Sequence, residues 1–194
     1  MEKTDPRVLI AQDVIKALDV KRMCVITGFS DQPYVHFEMP AEPFDEFVKR
    51  DAREALKGKQ CSVCAKGALL VAAIDRFNKV KLEELYDNAG YGHYRSIAIY
   101  GETPSKKWLE QWFDADQLTL IEAAFETSMN CGSDGESLYG KYLGSGKYEI
   151  AYGELVDSPI NHAVYFGEGY DGHDERLRAI MQNIIDHNGE FVPV

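Results

Sequence analysis

No apolar run in this sequence exceeds seven residues. The longest, Ala68 to Ile74, falls far short of the roughly 20 residues that cross a bilayer as a helix, which excludes a helical span. Cysteine is scarce as well: Cys24, Cys61, Cys64 and Cys131 in 194 residues are too few for a disulfide scaffold, and free thiols in a reducing cytoplasm are expected. The opening residues Met1-Glu-Lys-Thr-Asp-Pro-Arg7 lack the basic-then-apolar pattern of a secretory signal, so the expected location is the compartment of synthesis. Several enzyme templates are missing: there is no phosphate-cradling glycine loop, no His-Glu-x-x-His and no Gly-x-Ser-x-Gly. No cofactor is expected. Nor is there a basic excess, since 21 Lys and Arg face 32 Asp and Glu, and this argues against direct nucleic-acid binding, which needs a basic footprint.

The acidity is located in one half of the chain. Residues 101–194 hold 17 acidic and 6 basic side chains, which accounts for the whole net charge of −11. A half of one sign is either a solvated surface or a surface that attracts a basic partner.

The chain reads as one α+β domain over 1–194, rich in helix, with about six helices around a buried central helix at 61–77 and a small β-hairpin at 23–39. The central segment, Cys61 to Phe77, is apolar on all sides from Ala68 to Ile74, and a helix with no polar face needs neighbours on every side. Leu70, Ile74 and Phe77 form a bulky ridge, and Cys64, Ala65, Ala68 and Ala72 a small-residue ridge. Before it, Pro6 to Val20 repeats apolar residues at helical spacing behind Asp5 and Pro6, an N-cap and first-turn pair. Met23–Phe29 and Tyr34–Met39, β-branched and aromatic around Ser30-Asp-Gln-Pro33, predict two strands joined by a turn. Pro43–Leu56 predicts one charged helix.

After the central helix, Ser96–Tyr100 is strand-like, and Thr103-Pro104 opens a helix carrying Trp108 and Trp112. A further helix begins at Asp114 or Asp116. Five glycines between Asn130 and Lys147 predict a long mobile loop. Ile160–Phe166 fits either a buried strand or a helical turn. The last helix runs from Asp174 to His187 and stops at Asn188-Gly189 in the manner of a left-handed C-cap.

Three blocks carry a resemblance. Cys61-x-x-Cys-Ala-x-Gly-Ala-Leu-type spacing, Gln117-Leu-x-Leu-Ile-Glu-Ala-Ala-Phe125 and Glu175-Arg-Leu-Arg-Ala-Ile-Met-Gln-Asn-Ile-Ile-x-x-Asn-Gly-Glu-Phe-Val-Pro193 resemble small uncharacterised proteins of tailed phages and bacteria. The resemblance implies a helical core and a phage origin, with action in the host cytoplasm. It implies no chemistry.

Cys61 and Cys64, placed at a helix start, are the sharpest chemical candidates, because a helix N-terminus lowers a thiol's pKa. As a metal site they supply half a ligand set. The plainer reading is two small packing thiols, with no metal. Gln60-Cys-Ser-Val-Cys64-Ala together with Asn161-His-Ala-Val-x-x-Gly167 resembles the papain-like cysteine peptidases, which implies Cys64 as nucleophile, His162 on a strand as base and Gln60 beside the oxyanion. The sequence departs from that family: Ala65 replaces the aromatic after the Cys, and no Asn-Ser-Trp orients the His.

The other constellation is compositional. Ten of the eleven tyrosines lie between Tyr86 and Tyr170, many beside Gly, Ser or Asn, the mixture that binding loops use. Tyr139, Tyr142, Glu168, Tyr170, Asp171 and Asp174 are the expected binding residues. The expected role is interaction with a basic host protein, including a nucleic-acid-binding or defence factor, and the alternative is a cysteine hydrolase.

Overall fold

The computed structural model describes residues 4–26, 34–37, 43–77, 79–86, 96–127 and 159–193. The described fold is α+β and helix-rich, with eight α-helices and a four-stranded mixed sheet among those residues.

Helix α1, Pro6–Asp19, begins where local chemistry dictates: the Asp5 side chain accepts the Arg7 N–H at 2.8 Å and proline occupies the first turn. Its inner face, including Ile10, Ala11, Val14 and Leu18, is buried, and it packs against α4 (Ala65–Phe77) and α8 (His173–Asp186).

The sheet departs from the expected hairpin. Strands β1 (Met23–Val25) and β2 (Tyr34–Phe37) do not pair with each other, because β3 (Cys61–Val63) lies between them, parallel to β1 and antiparallel to β2. Strand β4 (Ser96–Ala98) completes the order β1-β3-β2-β4. Alternation explains the inner face: Met23, Cys61 and Phe37 share one register row, Val63, Val35 and Ile97 another, and all six are buried. The intervening Cys24 and His36 are exposed.

This placement also corrects the predicted helix at 61–77. Its first three residues are strand, and α4 starts at Ala65. Every residue from Ala65 to Ile74 is buried, and α4 packs against α1, α5 (Pro104–Leu109), α6 (Ala115–Glu126), β2 and β3. The expected helix at Pro43–Leu56 is divided into α2 (Phe44–Phe47) and α3 (Ala52–Leu56). The break has a tertiary cause. Asp51 bridges Lys81, and the amides of Ala52, Leu82 and Glu83 bond to the carbonyls of Val80, Arg50 and Val48, so backbone groups that a continuous helix would use internally are spent on the 79–83 segment.

Asp114 caps α6 by accepting the Gln117 N–H at 2.8 Å. The ambiguous stretch is helical, α7 (Pro159–Glu168); this helix and the divided α2–α3 raise the count from six to eight. Helix α8 ends as expected, with Asn188 and Gly189 at φ of 56° and 105° and the Gly189 N–H on the Ile184 carbonyl at 2.8 Å. The tail is then held by two side-chain amides: Gln117 exchanges hydrogen bonds with the Phe191 backbone and Asn183 with that of Val192. Among the described residues, no helix is long and apolar enough to cross a membrane.

Candidate interaction surface

Helices α7 and α8 meet at a turn over residues 169–172, where Gly169 and Gly172 interrupt helical patterning and the amides of Gly169 and Tyr170 fold back on Phe166 and Gly167. Glu168, Asp171, Asp174 and Glu175 are exposed around this turn. Tyr165 stands one helical turn before Glu168, and 65% of it is exposed. Asp174 and Glu175 lie in the first turn of α8, where unpaired backbone N–H groups favour negative charge. They therefore stabilise the helix they begin.

The four acids are not equivalent. Arg178 reaches Asp174 through Nε and Asp19 through Nη1, each at 2.7 Å, and these bonds hold the Arg178 guanidinium above its usual range. Asp174 is thus partly neutralised. Among the described residues Glu168, Asp171 and Glu175 have no ion-pair partner, and their charge remains available to solvent and to an approaching cation.

Beneath the turn lies a buried cation, Arg176. Its guanidinium donates to the carbonyls of Phe125 (2.7 Å), Gly167 (2.9 Å) and Tyr170 (3.0 Å). Two of these belong to the last turns of α6 and α7, whose final carbonyls have no partner within their own helices and carry the negative end of the helix dipole. One planar fork thus ties two helix ends and the turn together. Tyr170 is half-buried, with its ring 5.5 Å from that of Phe166, which meets Phe191 edge-on at 5.3 Å. The result is an acidic, aromatic-bearing turn on a packed base.

Glu168, Tyr170, Asp171 and Asp174 therefore come together, whereas Tyr139 and Tyr142, with the glycine-rich loop at 130–147, lie outside the described residues. Sequence reading missed two participants. Tyr165 becomes legible once Ile160–Phe166 is helical, because Asn161, Ala163, Val164 and Gly167 point inward and leave it on the outer face. Arg176 carried no signal, since its carbonyl partners lie up to 51 residues away.

The thiols occupy different elements. Cys61 lies in β3 and Cys64 immediately precedes α4, accepting the Gly67 N–H at 3.4 Å in the position of a helix cap. Cys61 therefore has no helix N-terminus to activate it. Burial pushes the Cys61 thiol up to about 11 and that of Cys64 up to about 12, the opposite of what a nucleophile requires. His162 sits on helix α7, not on the strand that the peptidase resemblance implies, and α6 packs against both α7 and α4. The Gln60 amide donates to the Lys21 carbonyl at 3.0 Å. No cluster of three or more potential metal ligands occurs among the described residues. Compared with models of protein families, with curated proteins and with solved structures, the chain matches none.

Proposed function

We propose that this chain is an acidic interaction protein, of phage origin, that acts in the host cytoplasm by occupying a basic surface of a host factor. The carrying observation is the α7–α8 turn: three exposed carboxylates without ion-pair partners stand beside a Tyr165 ring that is 65% exposed, over a base fixed by Arg176. Carboxylates steer a basic partner and an exposed tyrosine gives it large contact area with little rotamer freedom to lose. In this reading α4 is the central helix of a single unit, and its role is to hold α6 and α7 in place.

The net charge of −11 directs the choice of partner, because a surface of this sign repels nucleic acid and competes for proteins that bind it. A host nucleic-acid-binding or defence protein is the class that fits. The resemblance to phage and bacterial proteins supports the same role. Affinity capture from bacterial lysate tests it: wild-type protein should retain a basic partner that a Glu168→Gln/Asp171→Asn/Glu175→Gln variant loses. Equal capture by both would reject this surface.

A further inference from the structure

Residues 190–193 follow α8 without regular secondary structure, yet Phe191 is only 1% exposed. Two side-chain amides from different helices account for this. Gln117 of α6 accepts the Phe191 N–H at 2.7 Å and donates to its carbonyl at 3.3 Å. Asn183 of α8 accepts the Val192 N–H at 2.8 Å and donates to its carbonyl at 2.9 Å. Each amide thus exchanges two hydrogen bonds with a single residue, as the opposite residue of an antiparallel strand does. We propose that residues 190–193 are a detachable latch seated in a peptide-reading site between α6 and α8, and that its seating sets the order of the acidic α7–α8 turn.

Detachment follows from how the segment is attached. Among the described residues, Phe191 and Val192 make no backbone–backbone hydrogen bond, so no helix or strand has to unwind when they leave. Four side-chain hydrogen bonds and one buried ring hold them, the profile of a local opening rather than a global one. The seat is selective in one place. Bonds to main chain accept any residue, whereas the Phe191 ring fills a buried position against Phe166, which makes an aromatic the requirement there.

The link to the turn is a chain of rings. Phe191 meets Phe166 of α7 edge-on at 5.3 Å, and the Phe166 ring lies 5.5 Å from that of Tyr170 in the turn. The backbone follows the same path, since the Gly169 and Tyr170 N–H groups donate to the carbonyls of Phe166 and Gly167. When the latch leaves, Phe166 loses the ring behind it and Tyr170 loses a fixed support. The bearing of this on partner binding rests on the role proposed above for the turn, whereas the coupling itself belongs to the free chain and is measured there.

Native-state hydrogen exchange on the full chain tests it. In wild type the amides of Gly169, Tyr170, Phe191 and Val192 should share one opening event that precedes global unfolding. Gln117→Met, which keeps helix propensity and removes one amide, should accelerate all four by about tenfold or more. Amides of α1 and α4, such as those of Val14 and Leu70, should keep their wild-type rates. A blocked peptide of residues 189–193, Gly-Glu-Phe-Val-Pro, added to the Phe191→Ala chain should shift the Gln117 and Asn183 side-chain signals saturably and slow exchange at the turn; the same peptide with alanine at the phenylalanine position should do neither. The proposal is overturned if the turn and the segment open separately in wild type, if Gln117→Met accelerates the whole chain alike or the segment alone, or if the peptide does not bind or binds equally well without its phenylalanine. A chain that meets these expectations and captures no basic partner would reject the role of the turn and leave the latch standing.

Discussion

Gly167 lies so close to the Ala124 carbonyl that a Cβ on it would stand 1.8 Å from the oxygen. Helices α6 and α7 approach backbone to backbone at this point, and the acidic turn begins one residue later. Gly-to-Ala in a helix ordinarily stabilises by about 1 kcal/mol. Here the sign reverses, because the obstacle is main chain and cannot rotate away. Gly167→Ala should destabilise by about 1–3 kcal/mol or more, lowering Tm by about 2–4 °C per kcal/mol in a chain of this size. Gly172→Ala, which meets only the Glu175 side chain at 3.8 Å and beyond, should change Tm far less. A thermal melt of the two variants decides it.

Arg176 should prove costly to replace. Arg176→Met leaves three carbonyls without their donors and should cost about 3 kcal/mol or more, judging from hydrogen bonds to charged groups. Arg176→Lys should recover only part of this, since an ammonium cannot span three acceptors arranged for a fork. Denaturant titration measures both. In addition, hydrogen exchange at the α7–α8 turn should accelerate before global unfolding does.

The buried ion pair between Lys66 of α4 and Glu122 of α6 offers a different sign. Burial raises the Glu122 carboxyl against the opposing pull of Lys66, which means that the pair is expensive to keep charged. Lys66→Met alone or Glu122→Leu alone should cost about 3–5 kcal/mol by stranding one charge, whereas the double substitution should be near neutral or stabilising. A double-mutant cycle by urea denaturation checks this.

Thiol chemistry is predicted to be quiet. At neutral pH an electrophile should label exposed Cys24 and leave Cys61 and Cys64 unmodified until the protein unfolds, as peptide mapping would show. The same shifts give a pH dependence. Unfolded thiols ionise near pH 9, but the folded ones hold their protons to about 11 and about 12, so the unfolded state binds fewer protons in that interval. Stability should therefore fall as pH rises from about 9 towards 11–12, and Cys61→Ala/Cys64→Ala should flatten that limb. Labelling of Cys64 in the native state, abolished by His162→Ala, would instead favour the hydrolase.

Where a local signal dictates the structure, the sequence is a good guide. Asp5-Pro6, Asp114 and Asn188-Gly189 each place a helix end through bonds made within a few residues. Strand β3 was not legible, because Cys61-Ser-Val63 continues smoothly into an apolar helix and owes its extended form to two partner strands. The break at Asp51 likewise depends on Lys81. The acids at 168–175 were visible as residues, and Asp174 is set apart from its exposed neighbours by a local bond to Arg178 one helical turn on. The second bond of Arg178, to Asp19, spans 159 positions and left no local signal.

The central claim is that the α7–α8 turn attracts a basic partner by its exposed carboxylates. The direct measurement is the association rate of the captured partner with wild type and with Glu168→Gln/Asp171→Asn/Glu175→Gln, as salt is raised through about 0.1–0.15 M, where screening shortens to about 8–10 Å. The on-rate for wild type should fall steeply with salt and the variant should start low and stay flat, while Tyr165→Ala or Tyr170→Ala should act on the off-rate. Adding Asp174→Asn should contribute less than any of the other three, because Arg178 already holds it. A wild-type on-rate indifferent to salt, or a variant that associates as fast as wild type, would contradict the account.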